Sequence, residues 1–497
     1  MLLVPHGALA FGFTDVVKQA KALAASPYVA PPSTPKFLAD LGYDEFRKIR
    51  FDPKRSLWQL DHGNFQVMLV APGLYFRHIV NIYVVNRAGV HRVPFRRDDF
   101  SWPSKAIEKR VPRNLGYAGF KLAYPLDTAK GRDQFLVFAG ASYFRGVARG
   151  QNFGLYARGI AVDTGLPNGE QFPIFTDFWL VRPSSKSARM RFYALLNGPS
   201  IAGAYRFVVI PGAPTRLNVK AVLFLRKNVS LLGMAPLTSM FFYGQNTPRP
   251  PGQWRAAVHD SDGLLIHAST GEWLWHPLIN PIGLEMNYFE ADSPLGFGLM
   301  QRDRHFRDYE DPQALYNTRP DAWVQPHGDW GKGNVVLVEI PTDTEFNDNI
   351  VAFWAPSKSA TQGSRYNLDY SVSFGRSGMT GEPLGTADQT FVGSGGKADV
   401  YRFIVDFGGG SLAKLGPTAS VKAIVTGIGG AKILQQDVEW LGPLKEWRLA
   451  FLVQVPTGKI LNLRAFLKSG DRTLTGTWTY ELPSNNRFDT HPGRVHP

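Results

Sequence analysis

Short apolar runs, each ended by glycine, proline, asparagine or aspartate, fill most of the sequence and restrict its fold more than any other feature. Fifty glycines and 36 prolines supply the turns, which recur roughly every ten to fifteen residues. Long amphipathic helices do not alternate with these runs, so we predict an all-β fold built on a large antiparallel β-sandwich. The clearest runs are Phe65–Val70, Ile79–Val85, Phe135–Ala139, Arg191–Leu196, Arg206–Ile210, Ala221–Leu225 and Val335–Ile340.

Two helices are predicted before the strands begin. Thr14 is a residue type that caps helices, and the apolar residues from Val16 to Ala24 fall on one helical face. A second helix follows Pro35 and is expected to end near Gly42.

A change of composition predicts the domain boundary. Residues 377–397 are polar and rich in glycine, which is typical of a linker. We therefore predict an N-terminal β-sandwich over residues 11–376 and a smaller immunoglobulin-like sandwich over residues 398–485.

The first ten residues are apolar and contain Ala8-Leu9-Ala10, the small-x-small pattern of a signal-peptide cleavage site. Residues 1–10 are therefore interpreted as the remnant of a secretion signal. The alternative is an ordinary apolar start to a cytosolic protein, and the residues alone leave both open.

The chain is basic, with 55 Lys and Arg against 41 Asp and Glu and a net charge of +14. Such a charge attracts polyanions, but the basic residues are dispersed and no nucleic-acid-binding motif accompanies them, so no nucleic-acid partner is expected. The absence of cysteine excludes disulfides and thiolate chemistry. No apolar stretch is long enough for a membrane helix, so no transmembrane segment is predicted.

Known site motifs are mostly absent. Gly393–Lys397 has the wrong spacing for a phosphate loop, and His259–Gly263 lacks the later ligands of a calcium loop. No metal site and no cofactor are therefore predicted. Trp273 and Trp275 would lie on one face of a strand and could stack on sugar rings; the alternative is that both belong to the core.

Several acidic residues precede the apolar run Ile350–Trp354, among them Glu345 and Asp348. Carboxyl groups beside a buried strand can be desolvated, as active-site acids are, although most acids in such loops only form turns. The residues alone therefore reach a secreted-looking β protein, for which activity on carbohydrate is one open interpretation.

Longer motifs carry a resemblance to a known family. The sequence resembles the periplasmic glucans biosynthesis proteins G and D (OpgG/OpgD, or MdoG/MdoD) from about Phe11 to Leu482, with the G branch favoured by Asp321–Trp323 and Val335–Ile340. The matching segments are Leu115–Lys121, Gly140–Arg145, Gly154–Ala161, Gly203–Phe207, Ala235–Phe241, His259–Leu264, Gly296–Leu299, Trp330–Gly333 and Glu339–Trp354.

The resemblance implies a galactose-mutarotase-like sandwich followed by an immunoglobulin-like domain, in a periplasmic protein. It implies a role in making osmoregulated periplasmic glucans, whose backbone is β-1,2-linked glucose. Some family members are inverting β-1,2-glucanases and others transfer glycosyl groups, so either activity is expected. The expected partners are β-1,2-glucan and a membrane glucan synthase.

The resemblance also implies roles for single residues. Asp348 corresponds to the general acid, Asp260 to the base, and Glu345 and Tyr316 to other active-site positions. An inverting glycosidase pairs a protonated carboxyl with a carboxylate that activates water from the opposite face. The acid must stay protonated near neutrality, which burial beside Asn347 and Asn349 would favour.

Two other functions stay open. A non-catalytic protein that binds glucan beside the synthase would keep the same cleft, and a polyanion-binding protein would use the net positive charge.

Overall fold

The computed structural model describes residues 11–376, 378–397, 399–456 and 459–484. The predicted signal segment 1–10, the C-terminal tail from residue 485, Ser377 and Ala398 lie outside the described residues. Strands take up 46% of the residues that the structure describes and helices 9%, which confirms the predicted all-β class. The galactose-mutarotase-like and immunoglobulin-like types of sandwich stay predictions. No helix within the described ranges is both long enough and apolar enough to cross a membrane.

The strands fall into two groups along the chain. Those up to Ser239 are β1 (Arg50–Phe51), β2 (Gln66–Val70), β3 (Asn81–Asn86), β4 (Gly89–Arg92), β5 (Phe100–Ser101), β6 (Gly119–Tyr124), β7 (Asp133–Ala139), β8 (Tyr143–Gly146), β9 (Tyr156–Arg158), β10 (Ile160–Val162), β11 (Ile174–Val181), β12 (Met190–Asn197), β13 (Ile201–Ile210), β14 (Thr215–Leu225) and β15 (Leu232–Ser239). Those that follow are β16 (Phe241–Tyr243), β17 (Val258–His259), β18 (Gly263–His267), β19 (Trp273–Pro277), β20 (Glu285–Glu290), β21 (Gly296–Met300), β22 (Asp321–Pro326), β23 (Gly333–Glu339), β24 (Ile350–Pro356), β25 (Arg365–Gly375), β26 (Thr386–Ser394), β27 (Val400–Gly408), β28 (Lys422–Ile428), β29 (Lys432–Leu441), β30 (Glu446–Gln454), β31 (Leu461–Ser469), β32 (Arg472–Thr473) and β33 (Thr477–Leu482).

The helices are short: α1 (Phe13–Ala24), α2 (Lys36–Ala39), α3 (Tyr43–Phe46) and α4 (Lys105–Arg110). The prediction that Thr14 caps the first helix is wrong. The cap is Gly12, because Asp15 Oδ2 accepts a hydrogen bond from the Gly12 N–H at 2.9 Å and so fixes the helix start earlier. The second predicted helix is found as α2, which follows Pro35 and ends before Gly42.

The described residues form two compact units, and each is described by itself. The first comprises the described residues up to Arg149, together with Ala157–Ala235 and Lys358–Val372. One of its sheets has the order β14-β13-β12-β11-β3-β4, with β11 and β3 parallel, and another runs β2-β6-β7-β8. Helix α1 buries Val16 and Ala20 in a cluster with Trp179 and Tyr193.

Phenylalanine rings from both sheets fill the core of the first unit. Phe138 of β7 packs edge-to-face against Phe192 at 5.1 Å and Phe207 at 5.1 Å between ring centroids, and it stacks on Phe144 at 4.7 Å. Phe120 of β6 contacts Phe192 in the same way at 5.4 Å. Burial of one such ring contributes about 1.5–3 kcal/mol to stability, so the cluster is a main source of stability for the first unit.

The second unit comprises Gly150–Tyr156, Pro236–Ser357 and the described residues from Ser373 onward. Its sheets have the strand orders β24-β23-β20, β28-β31-β33-β19-β18-β21-β22 and β26-β27-β30-β29, and β16 pairs with β17. Strands β19 and β33 are parallel neighbours, with Trp275 opposite Trp478. Strand β26 lies within the predicted linker, residues 377–397. The predicted domain boundary at that segment stays a prediction.

Candidate active site

Asp260 and the loop that carries Asp348 are attached to adjacent residues of the second unit. The Asp260 N–H donates to the Met240 carbonyl at 2.8 Å, directly beyond the short β16–β17 pair. Asn349 accepts from the Phe241 N–H at 2.8 Å and donates to the carbonyls of Phe241 and Ile340, both at 3.0 Å. Two distant parts of the sequence are therefore held on one short segment of backbone.

Asp260 is a buried carboxyl group with a cationic partner. Only 4% of the residue is exposed, and Arg319 Nη1 donates to Asp260 Oδ1. The same guanidinium donates to the Ala314 carbonyl and lies 4.2 Å from the centroid of the Tyr316 ring. Burial disfavours the charge on Arg319, but Asp260 and Tyr316 outweigh that effect and raise the pKa of Arg319 above its usual value.

Tyr316 connects this ion pair to Glu345. The Tyr316 hydroxyl donates to Glu345 Oε2 at 2.6 Å. Burial, and then the hydrogen bond to Glu345, raise the pKa of Tyr316 well above its usual value, so the phenol keeps its proton at every physiological pH. Glu345 also accepts from Arg255 Nη1 at 2.7 Å and Nη2 at 3.3 Å, and Arg255 Nη1 donates to Asp311 at 2.9 Å.

These contacts form one polar network, which we call the acid–arginine network: Asp260, Arg319, Tyr316, Glu345, Arg255 and Asp311. It brings together three of the predicted site residues, Asp260, Tyr316 and Glu345. Asp348 follows Glu345 on the same loop, and its side chain is exposed. The expected burial of Asp348 is therefore not found in the free protein, although its neighbour Asn349 is buried.

Trp273 and Trp275 lie in the apolar core of the second unit. They are 4% and 5% exposed. Trp273 stacks on His267 at 3.8 Å between ring centroids, and the Arg302 guanidinium lies 3.9 Å from the centroid of the Trp275 ring. This burial favours the alternative that both are core residues, and their role in sugar binding stays a prediction.

A buried polar layer supports the network from behind. Gln301, 1% exposed, accepts through Oε1 from His259 Nδ1 at 2.9 Å and donates through Nε2 to the Tyr316 carbonyl at 2.6 Å. It thereby ties the residue before Asp260 to the turn that carries Tyr316. Burial lowers the pKa of His259 and raises the pKa of Asp303, whose carboxylate lies 4.0 Å from His259 Nε2. His259 is therefore neutral, and it positions neighbouring residues without carrying charge.

The His259–Gly263 segment uses its acids to bind protein groups. Asp260 pairs with Arg319, while Asp262 Oδ2 accepts from the N–H groups of Arg302 at 2.7 Å and Asp303 at 3.2 Å. Among the residues that the structure describes, no group of three or more His, Asp or Glu side chains is arranged to hold a metal ion.

A sequence profile described as "Periplasmic glucan biosynthesis protein, MdoG" matches residues 11–482. The chain belongs to the MdoG family. One relative in this family, "Glucans biosynthesis protein G" from Ralstonia nicotianae, is 43% identical over 489 residues, which cover 96% of this chain and 97% of the relative.

Membership of the MdoG family confirms the predicted family and its G branch. It also confirms the predicted location, the periplasm, and a role in glucan biosynthesis.

Sequence reasoning missed Arg319 and Arg255, which belong to the acid–arginine network of this MdoG-family chain, and Gln301, which supports it. Arg319 lies three residues after Tyr316, so the signal was an arginine near a candidate site residue. Gln301 gave no signal, because a glutamine at the end of a strand has no pattern that distinguishes it.

Proposed function

We propose that the protein acts on the β-1,2-linked backbone of periplasmic glucans by inverting hydrolysis or by glycosyl transfer. The observation that carries the proposal is the acid–arginine network, in which Asp260, Tyr316 and Glu345 are connected beside the loop of Asp348. Asp348 would act as the general acid and Asp260 as the general base.

Because Asp348 is exposed, the proposed mechanism requires the substrate to shield its carboxyl group from water. A general acid must hold a proton until the leaving oxygen takes it. In the free protein the Asp348 side chain is exposed, so a bound glucan chain would have to cover the carboxyl and exclude water from it. Covering the carboxyl favours its neutral form by desolvation. The acid would then be functional only in the complex with substrate.

The base is expected to act through intermediate groups. One oxygen of Asp260 already accepts from Arg319, which leaves the other for a water molecule or a hydroxyl group. Tyr316 remains a neutral phenol, so it can accept one proton and donate another. Its hydroxyl donates to Glu345 in the free protein, and relay toward Asp260 requires that hydroxyl to rotate. Glu345 therefore competes with Asp260 for the role of final proton acceptor.

The test is product analysis on linear β-1,2-glucan. We expect the unsubstituted chain to shorten or redistribute the polymer, and D348N to lower the rate by about 10²–10⁴ because the leaving oxygen loses its proton donor. D343N is the matched control, since Asp343 is an exposed acid of the same loop. If the unsubstituted chain and D348N are equally inactive, the proposal that the protein is an enzyme is wrong.

Two further measurements distinguish hydrolysis from glycosyl transfer and identify the general base. Hydrolysis creates new reducing ends, which NMR detects as the inverted anomer, whereas transfer redistributes chain lengths without creating them. D260N and E345Q separate the two base candidates: the true acceptor is the one whose loss removes the acidic limb of the pH–rate profile, because that limb reports protonation of the base.

A second candidate function is a non-catalytic glucan-binding protein that works with the membrane glucan synthase. The exposed carboxyl of Asp348 and the ion-paired carboxylate of Asp260 favour it, since the free protein presents neither a shielded acid nor an unengaged base. Binding of long β-1,2-glucan with unchanged chain length would support this function.

A further inference from the structure

A cavity of about 290 Å³ lies in the first unit, and none of its lining residues belongs to the acid–arginine network. Its walls include Trp58, Asp61, Phe65, Arg182, Ser184 and Ser185. Pockets for drug-sized ligands have volumes of about 300–1,000 Å³, so this cavity suits something smaller, the size of one or two sugar rings.

Two segments brought together by backbone contacts build the cavity. The Asn64 N–H donates to the Ser185 carbonyl at 3.0 Å, and Leu57 and Val67 exchange hydrogen bonds that close the loop between them. A Cβ atom at Gly63 would lie 3.3 Å from the Ser185 Cα, so a side chain there would press on the opposite backbone. The cavity is therefore a feature of the fold.

The loop holds strained backbone beside the cavity. Trp58 has φ 66° and His62 has φ 52°, on either side of the short 3-10 turn Gln59–Asp61. Bulky residues rarely adopt the left-handed region, and such conformations persist only where the surrounding structure imposes them, often at functional sites. Here one of the two strained residues, Trp58, lies in the wall of the cavity.

The charges in the wall favour a neutral ligand. Arg182 donates to Asp61 Oδ2 from Nε at 3.0 Å, and its Nη2 lies 2.6 Å from the same oxygen. The two charges offset each other, which weakens any attraction for an anion. A guanidinium and a carboxylate both have more hydrogen-bonding sites than these contacts use, and the two serine hydroxyls add further donors and acceptors. The wall thus combines an indole ring with groups that suit several hydroxyls.

We propose that this cavity is a second carbohydrate site, which binds one or two neutral glucose units through the Trp58 indole, the Asp61–Arg182 pair and the serine hydroxyls. The choice of glucose rests on the role of the family in glucan biosynthesis. The site requires no turnover, so a chain that proves to be catalytically inert could still have it.

The test follows the Trp58 signal during binding. The full chain with D348N, which suppresses turnover, is labelled with fluorotryptophan, and the ¹⁹F resonance missing from W58N is assigned to Trp58. Asparagine is used because it tolerates a positive φ. Titration with the β-1,2-linked glucose disaccharide is expected to shift this resonance with saturation, and W58N is expected to weaken calorimetric binding at this site at least tenfold.

Two variants guard against a folding effect. S184F places a bulky ring at an exposed position of the cavity wall and should weaken binding with the Trp58 conformation intact. L60A is the matched control, since Leu60 is 83% exposed on the same loop and does not line the cavity, and it should bind as the parent does. The proposal is overturned if the disaccharide binds without moving the Trp58 resonance, if S184F binds normally, or if inorganic phosphate shifts the resonance and the disaccharide does not.

Discussion

The two units differ in what they bury. The first is centred on phenylalanine rings, and its buried Arg158 is paired with Glu170. The second buries acids, among them Asp303, Asp321 and Glu339, which are 5%, 0% and 0% exposed; Arg304 pairs with Asp321, whereas Glu339 accepts from the Ile279 N–H. Burial of a carboxyl group is costly, so acids buried in this way cluster at sites that perform chemistry more often than in purely structural cores. The comparison predicts that substitutions in the core of the first unit mainly change stability, and that the proposed chemistry depends on the second unit.

The largest expected effect concerns the first unit. F138A removes a ring that contacts phenylalanines of both sheets, and should lower the free energy of unfolding by about 3–5 kcal/mol through lost burial and the cavity left behind. Hydrogen exchange read by mass spectrometry should show the loss mainly in β6, β7, β12 and β13. The control is F172A, at a half-exposed ring. If F138A lowers hydrogen-exchange protection equally in the strands of the second unit, the prediction that the two units respond separately is wrong.

In the second unit, R319M should lower the free energy of unfolding by about 3 kcal/mol, because it leaves the buried Asp260 without its cationic partner. The double variant R319M/D260N should recover part of that loss, since the unpaired charge is then removed as well. Chemical denaturation measures both. If D260N gives no recovery beside R319M, the two side chains do not act as a pair.

The buried acids predict a pH dependence of the second unit. Burial, and then the charge of Glu285, raise the pKa of Glu481 to about 7 from its usual 4.5. Between these values the folded protein keeps a proton that the unfolded chain has released, so stability falls as pH rises through this range. Between pH 5 and pH 8, the decrease in the free energy of unfolding should be about 2 kcal/mol smaller in E481Q than in the parent chain.

The matched control for the pH experiment is E290Q, an exposed acid on β20. It should leave the slope of stability against pH unchanged. If E481Q gives the same slope as E290Q and the parent chain, Glu481 does not contribute to the pH dependence of stability.

The smallest effect sharpens the description of α1. D15A removes the hydrogen bond to the Gly12 N–H, and should cost about 0.5–1 kcal/mol if packing against Trp179 and Tyr193 holds the helix in place. Thermal unfolding gives the value. A loss of several kcal/mol would mean that the cap, rather than packing, stabilises the helix.

Local patterns predicted the fold class, but not the contacts that make the site. Runs such as Arg206–Ile210 lie within observed strands, because alternation and turn residues act over a few positions. The ion pair of Asp260 with Arg319 depends on tertiary folding, and no local pattern predicts it. The prediction that Thr14 caps α1 was wrong because it considered only the residue type at the cap. In the structure the helix begins after Gly12, whose N–H donates to the Asp15 side chain.

The roles of Asp260, Tyr316, Glu345 and Asp348 came from motif resemblance. The structure adds physical links among the first three, which residue types alone could not supply. It also changes the interpretation of Asn349, which was expected only to be a neutral neighbour of the acid and instead makes three hydrogen bonds to backbone.

These three bonds to Asn349 limit the freedom of the residue beside it. The main chain at Asp348 is anchored on one side, so its Cα has little room to translate. Ordering so short a side chain costs little entropy, in contrast to ordering a whole loop. A ligand that engaged this carboxyl would therefore meet it within the reach of one short side chain from a fixed point of the backbone.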